Sequence, residues 1–128
     1  MENEKEPIKV GRIPIAVERA LNLRLASQVG IYMGEEKLSD LASARPNSYL
    51  KAIEEISLIT THPDFAGYVK DESRFYFLRA YNAKGKFVWV GVSVLHQGVP
   101  KKWMFDEMRI FPPAEIEKLQ EKANFARP

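Results

Sequence analysis

RFYFLRAYNAKGKFVWVGVSVL, residues Arg74–Leu95, is the stretch that decides the fold. Tyr, Phe, Val and Trp crowd two arms, Arg74–Tyr81 and Lys86–Leu95. Such side chains suit a pleated, half-buried surface. Between the arms lies Asn82-Ala83-Lys84-Gly85, turn chemistry in which the glycine takes a positive φ without a Cβ clash. The pattern predicts a β-hairpin. After a Gly/Pro/Lys connection, Trp103–Phe111 (WMFDEMRIF) reads as the next strand of a meander.

That third strand is unusual. Strict alternation places Trp103, Phe105, Glu107, Arg109 and Phe111 on one face and Met104, Asp106, Met108 and Ile110 on the other. Asp106 then interrupts an apolar face, and Glu107 with Arg109 interrupts an aromatic one. A buried, unpaired carboxylate costs on the order of several kcal/mol. Two readings stand side by side. The charges are solvated at a strand end or on an edge strand, where they discourage aggregation. Alternatively they form a polar site on the sheet, with Arg74, Arg79 or Arg45 as partners.

Upstream of the hairpin the chain reads mainly as helices. Met1–Lys9 is polar and predicts a flexible N-terminus, followed by a turn at Val10–Pro14. Pro14 suits the start of a short helix, Ile15–Leu23, with Ala16, Ala20 and Leu23 on one face. Val29–Met33 is a short strand candidate. Glu35–Ala44 predicts a helix with two acids in its first turn, closed by the Arg45-Pro46 pair. Pro46–Thr60 predicts a helix whose inward stripe is Tyr49, Ile53 and Ile56, widened by Leu50 and Leu58. Thr61–Gly67 is rich in breakers and reads as a loop. Pro112-Pro113 ends the third strand, and Ala114–Ala123 predicts a C-terminal helix with Ile116 and Leu119 inward. The fold class expected is therefore α+β, with N-terminal helices packed on an antiparallel meander. Ile53, Ile56, Leu78, Val90 and Val92 are expected in the core.

The 128 residues suit one domain over 10–128, and 45% hydrophobic content supports a core. Nineteen basic and 17 acidic residues leave a net charge of +2, too balanced to argue for nucleic acid alone. Cysteine is absent, which excludes disulfides and thiolate chemistry and fits a cytoplasmic setting. No apolar run reaches membrane-spanning length, and MENEKEPIK lacks a signal-peptide core.

Metal and cofactor signals are missing. His62 and His96 are the two histidines, and neither stands in a metal-ligand spacing. No Gly-x-Ser-x-Gly and no phosphate-cradling glycine loop occurs. Basic and aromatic residues do interleave: Arg74, Tyr76, Arg79, Tyr81 and Trp89, then Lys101, Lys102 and Trp103. Such a surface stacks bases and holds phosphates, although strand aromatics also serve as core. Arg74, Arg79, Trp89, Trp103 and Arg109 are the binding candidates.

VGRIP followed by ALNL, IYMGEEKL, ARPNSYLKAIEEI, HPDFAGYVKDESRFYF and the hairpin with its third strand resemble, in order and spacing, the phage-associated PBECR domains. That group is named with barnase, EndoU, the tRNase colicins and RelE, and the resemblance runs from about Val10 to Leu119. It implies helices packed on an antiparallel sheet, and metal-independent RNA cleavage by acid–base activation of the 2′-hydroxyl. The usual catalytic positions are substituted. Asp40 and Arg45 stand where histidines are common, Ser93 where a basic residue is common, and Asp106-Glu107 where an Arg-Ser pair is common. A carboxylate facing a phosphate repels it. The resemblance therefore implies a degenerate nuclease-like domain that binds, with a protein as partner, in a phage or mobile-element setting. The alternatives are an active toxin-like endoribonuclease using Arg45, Arg74 and His96 with Asp40 or Glu107 as base, or an RNA-binding module.

Overall fold

A computed structural model describes residues 6–25 and 29–128. Its centre is a six-stranded sheet in the order β1-β2-β6-β5-β4-β3. The strands are β1 (Ile8–Arg12), β2 (Gly30–Met33), β3 (Phe65–Val69), β4 (Arg74–Ala83), β5 (Lys86–Gln97) and β6 (Lys102–Phe111). The helices are α1 (Ile15–Ala20), α2 (Glu35–Ala44), α3 (Tyr49–Thr61) and α4 (Pro113–Lys122). The meander β4-β5-β6 is antiparallel throughout, and β2 joins β6 in parallel. The class is α+β, as the sequence pattern predicts.

The hairpin turn is tighter than the sequence suggests. The strands run on to Ala83 and Lys86, which pair directly. Lys84 and Gly85 make the turn, with φ of 53° and 80°. Two consecutive left-handed residues match the right-handed twist of the arms. The Asn82 side chain accepts a hydrogen bond from the Gly85 N–H at 3.1 Å.

Two strands fall where the sequence reads as coil. Ile8 and Lys9, expected in a flexible N-terminus, belong to β1, which pairs with the distant β2, Ile8 opposite Met33 and Arg12 opposite Gly30. The predicted loop at Thr61–Gly67 gives way to β3 at Phe65. Gly67 there is required by a neighbour, because a Cβ on it would meet the Phe125 ring at 2.8 Å. Beyond β3, Ala66 and Ala126 exchange backbone hydrogen bonds of 3.0 and 2.9 Å, so the segment after α4 covers part of this sheet edge.

The helical stripes are rotated from those expected. In α1, Val17 is the buried residue and Ala16 is exposed; Asn22, with φ 55°, turns the chain after the helix. α3 begins at Tyr49 because Arg45–Ser48 forms a turn, closed by Ser48 N–H on the Arg45 carbonyl at 3.1 Å. Its buried face is Ala52, Ile56, Ile59 and Thr60, while Leu50 stays 62% exposed. Small residues explain the rotation: α3 lies so close to β1 that a Cβ on Gly11 would sit 2.6 Å from Thr60 Oγ1. The buried Thr60 hydroxyl donates to the Ile56 carbonyl at 3.0 Å.

The sheet has two unlike faces. Against α3 pack Phe75, Phe77, Val92, Val94, Trp103 and Phe105, with Ile31, Met33 and Val17. Ile56, Leu78 and Val92 are buried as expected; Ile53 and Val90 are half-buried. On the opposite face α4 covers one end, over Tyr76, Leu78, Trp89 and Phe111.

Candidate functional site

The charges of β6 are organised by a β-bulge. Ser93 of β5 pairs with Glu107, but the next residue, Val94, pairs with Phe105. Asp106 is the extra residue. A bulge shifts the alternation by one, so strict alternation fails at this point. Trp103, Phe105 and then Met108 face α3. Asp106, Glu107, Arg109 and Phe111 face the α4 side, together with Ser93 and Arg74 of the neighbouring strands. The residues that interrupt two faces in a regular strand thus collect on one.

Arg74 is the hub. Its Nη1 donates to Asp106 Oδ2 at 2.5 Å and to Ser93 Oγ at 3.4 Å. The fully buried Ser93 hydroxyl donates to the same carboxylate oxygen at 3.1 Å. Glu72 Oε1 lies 3.3 Å from Arg74 Nε, an ion pair without hydrogen-bond alignment. Lys37 of α2 reaches Asp106 Oδ1 at 3.7 Å. Burial raises the Asp106 pKa, but the bonds from Arg74 and Ser93 and the charges of Arg74 and Lys37 outweigh it and hold the carboxyl below its ordinary value. Burial likewise lowers the Arg74 pKa, and Asp106, with Tyr76 and Glu72, more than restores it.

Arg109 forms a second cluster, one cation held between two carboxylates. Its Nε donates to Glu107 Oε1 at 3.0 Å, and its two terminal nitrogens grip Glu115 of α4 in a bidentate pair. The guanidinium lies 3.8 Å above the Phe111 ring. The bond to Glu115 raises the Arg109 pKa, and the same bond lowers that of Glu115.

The sequence-level candidates divide between the two faces. Arg74, Trp89, Glu107 and Arg109 share the α4 side. Arg79 lies on the other, where its Nη1 donates to the His62 carbonyl at 2.5 Å. Trp103 is 8% exposed, buried in the α3 core. His96 stacks on Trp103 at 4.3 Å, away from Arg74; burial and then Lys101 lower its pKa. Asp40 and Arg45 are exposed on and just after α2, with no side-chain ion pair among the described residues. Of the ribonuclease alternative, Arg74 and Glu107 share a face, whereas His96 lies on the other and Asp40 and Arg45 on and after α2. The interleaved basic and aromatic series is likewise split, since Tyr76 and Trp103 are buried.

Sequence reasoning missed Lys37, Glu72 and Glu115. Glu115 stands six residues after Arg109 across a proline turn, and Lys37 arrives from a helix far away in sequence. Only the Arg74–Asp106 pairing had a local signal, the charge that interrupts an apolar strand.

Among the described residues no group of three His, Asp or Glu side chains is placed to hold a metal ion, and no helix is long and apolar enough to cross a membrane. Comparison with family models, with curated proteins and with solved structures gave no match.

Proposed function

We propose that this domain acts by binding a protein partner through the part of the α4 face that α4 leaves uncovered, and that it does not cut RNA. The observation that carries the reading is the capture of Arg74 by Asp106 at 2.5 Å. Phosphoryl chemistry requires cations preorganised toward the charge that develops on phosphorus. Here Lys37, Arg74 and Arg109 face Glu72, Asp106, Glu107 and Glu115. Four carboxylates thus hold three cations, and the face carries one net negative charge. For Arg74 to receive a phosphate it must leave Asp106, and a half-buried carboxylate then loses its partner.

Alternating charge on a firm sheet instead suits a mixed-charge protein surface, where complementarity sets register and rejects wrong partners. Tyr32, Leu95 and Met104 lie in register on the same face and are half-buried. They supply the apolar area a protein contact needs. The nuclease-like ancestry and the phage or mobile-element setting rest on the resemblance in sequence alone.

The test is incubation of the purified protein with total RNA in the presence of chelator. No cleavage is expected, and RNA binding is expected to be weak and to fade with salt. A protein partner should be retained by the wild type and lost on charge reversal at Arg109→Glu. Cleavage that disappears in Arg74→Ala or His96→Ala would overturn the reading. Tight RNA binding that persists at high salt would favour an RNA-binding module.

A further inference from the structure

Away from the Arg74 cluster, a pocket of ≈ 210 Å³ opens between α4 and the β3–β5 end of the sheet. Phe65, Trp89 and Phe125 give it three aromatic walls, and Leu78, Pro113 and Ile116 complete the apolar lining. The Phe65 and Trp89 rings stand 5.7 Å apart at 56°. Two glycines let neighbouring rings lie close against the sheet at this end. A Cβ on Gly67 would strike Phe125 at 2.8 Å, and one on Gly91 would strike Phe111 at 2.4 Å. Glu117 is the one charged residue of the lining, with Gln120 beside it.

We propose that this pocket binds a small organic cation, an ammonium group carrying apolar substituents. One general principle and two observations bear on that chemistry. Aromatic faces attract cations through their quadrupole, most strongly when the cation is poorly hydrated. The Arg127 guanidinium already lies 5.3 Å from the Phe65 ring centre, which leaves Trp89 and Phe125 as the walls for a ligand cation. The carboxylate of Glu117 at the lining complements positive charge and repels an anion. Size narrows the class further. The volume is below the roughly 300–1,000 Å³ typical of drug-sized ligand sites, so it suits a free small molecule of head-group dimensions. This inference is independent of the protein-binding reading, since none of the lining residues belongs to the Arg74 cluster.

The two tryptophans provide the test. Trp89 lines the pocket and Trp103 is buried on the other face, so the latter is an internal control. Choline chloride is titrated into the full chain while both indole N–H signals are followed by NMR, with sodium chloride as the salt control. A saturable shift at Trp89 and none at Trp103 is expected. The neutral isostere 3,3-dimethylbutan-1-ol should bind about fivefold more weakly, the scale of a cation–π contribution. Glu117→Gln, an exposed position on α4 that leaves the fold intact, should weaken choline binding about threefold, the scale of an exposed ion pair. Absence of a saturable Trp89 shift, parallel shifts at both indoles, or equal affinity for the neutral isostere would each overturn the proposal.

Discussion

The two faces of the sheet are built from the same strands by opposite means. The α3 face is an apolar layer of Phe75, Phe77, Val92 and Val94 closed by Ile56 and Ile59, all fully buried. On the α4 face, α4 covers an apolar end, and Arg74, Asp106, Glu107 and Arg109 lie beyond it, with half-buried Tyr32, Leu95 and Met104 past them. One inserted residue separates these outcomes. Without the bulge at Asp106, β6 would push its carboxylates into both layers. With it, the sheet keeps a dry core on one side and a polar surface of paired charges on the other. The lesson is that charge inside a strand marks a change of register as readily as an active site.

The comparison breaks first if the α3 face is not the stability core. Phe77→Ala should destabilise by about 3–5 kcal/mol and Ile56→Ala by about 2–5 kcal/mol in urea unfolding. Leu50→Ala, on the exposed side of the same helix, should stay within about 0.5 kcal/mol. Similar losses at Ile56 and Leu50 would mean that α3 is turned the other way.

Overpacking tests the covered end of the second face. A Cβ at Gly91 would lie 2.4 Å from the Phe111 ring and 2.9 Å from Leu78 Cδ2. Gly91→Ala should therefore cost about 1–3 kcal/mol, and Phe111→Leu in the same chain should recover part of it.

The charged end gives smaller effects that depend on context. Arg74→Met leaves Asp106 without its main partner and should destabilise by about 1–3 kcal/mol. Adding Asp106→Leu should restore most of that loss, because an apolar pair replaces a paired ion with little net change. Simple addition of the two single losses would show that the residues do not form a unit.

The smallest effect is in pH. The folded Asp106 pKa lies below its ordinary value, so the stability it contributes is fully present above the unfolded pKa. That contribution disappears as pH falls through the lowered folded value. The urea midpoint of the wild type should thus fall more steeply into acid than that of Asp106→Asn. Equal slopes would remove Asp106 from the acid response.

Much of this was legible in the sequence. The hairpin arms, β6, α2 and α4 follow from alternation, breakers and helix-end residues. β1 and β3 did not, because their pairing is dictated by distant chain: β2 for one, and the Phe125 ring above Gly67 for the other. The α3 stripe was misread because Leu50 and Leu58 outrank Ala52 and Thr60 in hydrophobicity, whereas close approach to Gly11 rewards small residues. At the candidate site, Arg74, Asp106, Glu107 and Arg109 stood out as charges in strands. Their common face did not, since the two-residue period carries no mark of an inserted residue. Asp40 and Arg45 came from the resemblance, and the fold leaves them outside the cluster.

The central claim is that the cations of the open face are already held by the protein's own acids, and the carboxyl carbon of Asp106 reports on it directly. Its titration by carbon NMR should give a pKa below the ordinary aspartate value in the wild type, rising when Arg74 becomes Met. A wild-type Asp106 that titrates at or above its ordinary value, unchanged by Arg74→Met, would contradict the account and leave Arg74 free to meet an anion.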